Sequence, residues 1–180
     1  MGSIELILGP MFSGKTTEMV RRLRRQHHAN KRVVIIKYDK DQRYDEKMCV
    51  THDGVQSGLP TINVSSLLPL INCLEYDVMG VDEGQFFPDA VEFCESLANQ
   101  GKLVIVSALD ATYQRKPFGR VLELIPLAES VIKLYAICPV CFKEASFTQR
   151  IGKDDQREIV IGGAEMYRPL CRSCFMKSLF

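Results

Sequence analysis

Eight residues near the start, Gly9-Pro10-Met11-Phe12-Ser13-Gly14-Lys15-Thr16, have the spacing of a phosphate cradle. Glycines at this spacing let the backbone curl so that successive N–H groups point at phosphate oxygens. Lys15 then supplies a point charge to the β- and γ-phosphates of a nucleotide, and the Thr16 hydroxyl is offered to Mg²⁺. The start of the following helix adds its partial positive charge. Such a loop needs a carboxylate to orient the metal. Asp82 follows the apolar run Val78–Val81 and would hold Mg²⁺ through water. Glu83 would then accept a proton from an attacking hydroxyl or position a water, and the acidic pair leaves both roles open.

Two further groups of residues concern the acceptor of the phosphoryl group. Phe86, Phe87, Tyr113 and Phe118 place aromatic rings in loops just after two apolar runs. Loops at the carboxyl ends of parallel strands line ligand crevices, and a ring there can stack on a planar base. Arg43, in the polar stretch DKDQRYDE, is placed to stabilise charge on a phosphoryl group. The other feature is a pair of CxxC knuckles, Cys138–Cys141 and Cys171–Cys174, separated by 29 residues. Four thiolates at this spacing suit tetrahedral Zn²⁺, and a closed four-sulfur shell makes the zinc structural rather than catalytic. The other cysteines, Cys49, Cys73 and Cys94, are scattered singly and read as small buried hydrophobes.

The elements that must position these residues follow from the apolar pattern. Strands are expected at residues 4–8, 33–38, 77–81, 102–109 and 130–136, and helices at 14–29 and 88–99. Strands separated by helices imply an α/β fold with a mainly parallel, P-loop-type sheet flanked by helices. Residues 39–61 are polar and read as a long loop. In the first helix Met19, Leu23 and Gln26 share one side, while Arg21, Arg22, Arg24 and Arg25 are expected for the most part to splay to solvent. Character changes at Ile137, which divides the chain into a nucleotide-binding domain, 1–136, and a small zinc-binding unit, 137–180.

Composition narrows the partners. The 180 residues are 46% hydrophobic and 25% charged, with a net charge of +1, which gives no reason to expect nucleic acid. The stretch from Cys138 onward carries seven Lys or Arg against five Asp or Glu, too small an excess for a phosphate-backbone footprint. No apolar run is of transmembrane length, so no membrane partner is expected. Without a secretory signal pattern, the default compartment is the cytoplasm.

Taken together the motifs resemble the type II thymidine kinases, cellular and large-DNA-virus enzymes alike. GPMFSGKTTE, IKYDKDQRY, DEGQFFPD, LDATYQRKPFG, PLAESVIKL, CFKEASFTQR and IGGAEMY carry the resemblance from Ile4 to Cys174, and the compact length is similar to that of poxviral members. The resemblance implies transfer of the γ-phosphoryl group of ATP to the 5′-hydroxyl of thymidine or deoxyuridine. By motif position, Gly9 to Thr16 and Arg43 bind ATP, Thr16 and Asp82 form the magnesium site, and Glu83 is the base. Met11, Phe86, Tyr113 and Phe118 form the nucleoside pocket. A lasso between the zinc knuckles covers the base through Glu158, Ile159, Val160, Ile161 and Gly162, with Tyr167 close to the sugar. A homotetramer and feedback inhibition by dTTP are also implied, in the host cytoplasm for a viral member. Tyr113 stands where many relatives have Phe, so its hydroxyl requires a partner. Two other readings compete: a P-loop ATPase or switch whose zinc unit docks a protein, and a zinc ribbon that binds nucleic acid.

Overall fold

The computed structural model describes residues 1–39, 57–72, 75–151 and 162–178. Six strands form the main sheet: β1 (Ser3–Gly9), β2 (Val33–Tyr38), β3 (Thr61–Val64), β4 (Val78–Val81), β5 (Leu103–Leu109) and β6 (Ser130–Lys133). Their order is β3-β2-β4-β5-β1-β6, and every pairing is parallel. This sheet with its flanking helices is the α/β architecture expected.

Both faces of the sheet are covered, which explains the unbroken apolar runs of its central strands. Helix α1 (Lys15–His28) lays Met19, Val20 and Leu23 against Ile7, Ile35, Val78 and Ile105. Helix α2 (Ala90–Asn99) lays Phe93, Cys94 and Leu97 on the opposite face, against Leu6, Val34, Ile36, Met79, Val104 and Val106. Neighbouring strand residues alternate between the two cores, as the period of two requires. The approach of α1 is close: a Cβ at Gly80 would sit 2.5 Å from Leu23 Cδ1. Leu23 is fully buried, which is worth about 1.5–3 kcal/mol.

Two expectations need correction. Thr61, expected to close the polar loop, instead opens the strand Thr61–Val64, paired in register with Ile35–Tyr38 and absent from the expected strands. The strand lies at the sheet edge, is partly exposed and contains Asn63, so it lacks a buried strand's apolar signature. The last sheet strand stops at Lys133 instead of reaching Ala136. The arginines of α1 mostly splay, as expected, with Arg21, Arg24 and Arg25 exposed. Arg22 pairs with Glu5 and Glu18 at 2.5 and 2.9 Å, and Arg24 donates to the carbonyl of Ser57.

After β6 come β7 (Ala136–Ile137), β8 (Glu144–Ala145), β9 (Phe147–Arg150), β10 (Tyr167–Leu170) and the short helix α3 (Arg172–Lys177). They form two antiparallel pairs, β7 with β8 and β9 with β10. Ala136, Cys138, Ala145, Leu170, Cys171 and Phe175 make a small core of their own. Among the described residues no helix is long and apolar enough to cross a membrane.

Candidate active site and metal centre

The phosphate loop is shaped by backbone that only small residues tolerate. Gly9 has φ 147°, and a Cβ there would lie 2.5 Å from the carbonyl oxygen of Leu134. Gly14, at φ 80°, turns the chain into α1. Between them Ser13 Oγ and Lys15 Nζ both donate to the carbonyl of Pro10, at 2.8 and 2.7 Å. Lys15 is buried. Phe12 takes a left-handed φ of 65° and turns its ring onto the core of the cysteine unit, so it is a packing residue. The Met11 N–H donates to Thr148 Oγ1 on β9 at 3.0 Å. The loop is thus held from outside by the C-terminal unit.

Thr16 and Asp82 meet at the carboxyl ends of the central strands. Thr16 Oγ1 donates to Asp82 Oδ1 at 2.9 Å, and Ser107 Oγ donates to the same oxygen. Burial raises the Asp82 carboxyl above the usual carboxylate range, and the charge of Glu83 adds to this. The hydroxyls of Ser107 and Thr16 and the buried ammonium of Lys37, at the end of β2, act in the opposite sense. A hydroxyl and a carboxylate converging at the foot of a phosphate loop suit a magnesium ion carried by a nucleotide.

Glu83 follows in a left-handed conformation, φ 54° and ψ 45°. For a residue other than glycine this stores about 1–2 kcal/mol, and such strain is concentrated at functional sites. Its Oε2 accepts a hydrogen bond from Gln85 Nε2 at 2.5 Å. The 3₁₀ turn Gly84–Phe86 then presents Phe86, whose ring stacks on Tyr38 at 5.5 Å and meets Phe118 edge-on at 5.7 Å. Phe87 is fully buried core.

Tyr113 and Tyr167 are brought together by Arg150. The guanidinium lies 4.2 Å over the Tyr113 ring and 5.7 Å from the Tyr167 ring, and it donates to the Tyr167 hydroxyl at 3.3 Å. The Tyr113 hydroxyl has its partner in Gln114, which donates to it at 3.1 Å. Gly162 is buried where a Cβ would overlap the sulfur of Met166. Arg43, Glu158, Ile159, Val160 and Ile161 lie outside the described residues, as do Cys49 and Cys73. Ser107, Gln85, Thr148, Arg150 and Lys37 are the site residues that sequence reasoning missed. Each is one polar residue in an apolar or mixed run, and only the fold reveals what it faces.

Cys138, Cys141, Cys171 and Cys174 converge, with all four sulfurs within 4.8 Å of one another. Tetrahedral zinc thiolates require sulfurs about 3.8 Å apart, so this set fits zinc. Desolvation works against ionising Cys138, yet the N–H groups of Cys171, Val140 and Cys141 hold its thiol down at about 6. The N–H of Cys174 lowers Cys171. Cys174 is pushed up to about 12, first by its hydrogen bond with Cys171. Sulfurs this crowded share protons, and a divalent cation removes the conflict.

Comparisons with known proteins agree along almost the whole chain. A family profile described as "TK: Thymidine kinase" matches residues 2–175. The chain is 51% identical to the thymidine kinases of variola virus and of vaccinia virus (strain Western Reserve), over 98% of both chains in each case. It is 53% identical to the human "Thymidine kinase, cytosolic", over 98% of this chain and 74% of the human one.

Proposed function

This chain belongs to the thymidine kinase family, and from that premise we propose that it transfers the γ-phosphoryl group of ATP to the 5′-hydroxyl of thymidine or deoxyuridine. The observation that carries the reading is the convergence of Lys15, Thr16, Asp82 and Glu83 at the carboxyl ends of neighbouring strands, beside the Phe86–Phe118 pair. The loop from Gly9 to Thr16 holds the ATP phosphates, with Pro10, Met11, Phe12 and Ser13 as its span. Thr16 and Asp82 would hold Mg²⁺, which neutralises charge on the phosphates when bound. Glu83 takes the proton from the nucleoside 5′-hydroxyl as its oxygen bonds to the γ-phosphorus. The bond to the β–γ bridging oxygen breaks, ADP leaves, and the proton passes from Glu83 to solvent with dTMP formed. Lys15 and Arg43 balance charge on the moving phosphoryl group.

Met11, Phe86, Tyr113 and Phe118 wall the acceptor, and Glu158 to Gly162 with Tyr167 are assigned to recognition of the base and sugar. With Met11 assigned both to the phosphate loop and to the acceptor wall, the two pockets adjoin in this reading. A nucleotide with its base in the acceptor pocket and phosphates on the loop spans both, which supports dTTP as a feedback inhibitor. Zinc on the four cysteines is structural. A homotetramer in the cytoplasm completes the reading.

The test is γ-phosphoryl transfer from ATP to a panel of common nucleosides. Thymidine and deoxyuridine should be phosphorylated. ATP hydrolysis with no dependence on nucleoside would overturn the proposal. In the same assay dTTP should raise the apparent KM for thymidine, and sedimentation should give four chains per particle.

A further inference from the structure

We propose that Gln85 is a positioning residue that locks the Glu83 carboxylate in place against the aromatic wall of the acceptor pocket. The inference rests on the reading of Glu83 as the base. A glutamate has three side-chain rotors, whereas a general base works only when held close to its productive geometry. Glu83 is a left-handed residue in the turn two positions past the end of β4, where no strand or helix fixes its direction.

Gln85 supplies a constraint from both ends of its amide. It is buried, with 5% of its surface exposed. Its Oε1 accepts the N–H of Leu109, the last residue of β5, at 2.9 Å. A backbone N–H can only donate, so the amide oxygen must face Leu109 and the amide nitrogen must face the carboxylate. Nε2 accordingly donates to Glu83 Oε2. The sheet edge therefore decides the sense of the amide, and the amide decides where the carboxylate lies.

The backbone of Gln85 is gripped as tightly as its side chain. At Gly119, φ 57°, a Cβ would come within 2.6 Å of the Gln85 carbonyl oxygen. At Gly84 a Cβ would come within 2.6 Å of Val106 Cγ1. Gly119 follows Phe118, whose ring meets Phe86. The base, the amide and both rings thus form one connected block whose spacing Gln85 sets.

The test is a double-mutant cycle on the full-length, zinc-loaded protein. Gln85→Met matches the side chain in length and removes both hydrogen bonds. Alone it should lower kcat about 10- to 100-fold, with the KM values for thymidine and MgATP within about threefold. Added to Glu83→Gln it should lower kcat by less than about threefold further, because its effect passes through the base. An equal loss in both backgrounds would show that Gln85 only fills space, and near-normal kcat for Gln85→Met would overturn the proposal outright. Near-normal turnover of Glu83→Gln alone would instead withdraw the base assignment. Should Gln85→Met fail to fold, Gln85→Glu runs the same cycle. It keeps an acceptor for Leu109 and sets a like charge against Glu83, so kcat should fall by the same order.

Discussion

Replacing Thr148 by valine tests how strongly the C-terminal unit governs the phosphate loop. The swap keeps the branched shape and removes the one oxygen that accepts the Met11 N–H at 3.0 Å, at a place where both residues are buried. No cavity opens, so the effect is that of a buried donor left without its partner, about 1–3 kcal/mol. For a chain of 180 residues each kcal/mol shifts the melting temperature by about 2–4 °C, which gives a drop of about 2–12 °C. Where the loop moves rather than the whole protein loosening, the same energy emerges as a rise of about 5- to 150-fold in the KM for MgATP. Thermal denaturation and steady-state kinetics at saturating thymidine read the two outcomes. Thr148→Ser, which retains the oxygen, should stay close to the parent in both. Equal melting temperature and equal KM for Thr148→Val and Thr148→Ser would refute the argument.

Other perturbations give equally definite outcomes. Removal of zinc by a chelator should weaken thymidine binding before ATP binding, read by titration calorimetry on protein whose zinc content is known; unchanged thymidine affinity in zinc-free folded protein would sink the structural role of the metal. Hydrogen bonding to Arg21, followed by Arg22, holds the Glu18 carboxyl at about 2 instead of its ordinary 4.5. A depressed carboxyl stabilises the fold fully above its unfolded value and loses that effect as pH falls through the folded one. The stability difference between the parent and Glu18→Gln, measured by denaturant midpoints, should therefore shrink as pH falls from about 4.5 to about 2, and it should be small throughout because the pair is solvent-screened. Gly84→Ala drives a methyl to 2.6 Å from Val106 Cγ1 and should lower stability by about 1–3 kcal/mol, seen as an earlier urea midpoint.

Legibility in the sequence followed the range over which each residue acts. The phosphate loop, the Asp82–Glu83 pair and the cysteine knuckles are contiguous or fixed in spacing, and each has a chemistry that few other functions demand. The strands of the sheet interior were legible for the same reason: burial on both faces writes an apolar run. The edge strand at Thr61–Val64 carries no such run. Thr148 matters through a partner 137 residues away, and Gln85 holds its near neighbour Glu83 only because Leu109, 24 residues on, fixes its amide; no local pattern marks either. Arg150 reads as one more surface charge until Tyr113 and Tyr167 are seen on either side of its guanidinium.

The hydrogen bond from Met11 to Thr148 also has a meaning in time. A ribosome adding about 5–20 residues per second needs roughly 7–27 s to pass from the eleventh residue to its partner 137 positions later. For all but the first few residues of that interval the growing chain possesses the whole phosphate loop without the wall that Thr148 and the cysteine core provide. Tight nucleotide binding should therefore arise late in synthesis, after β9 has emerged, so that ATP cannot act as an early folding template for the N-terminal half.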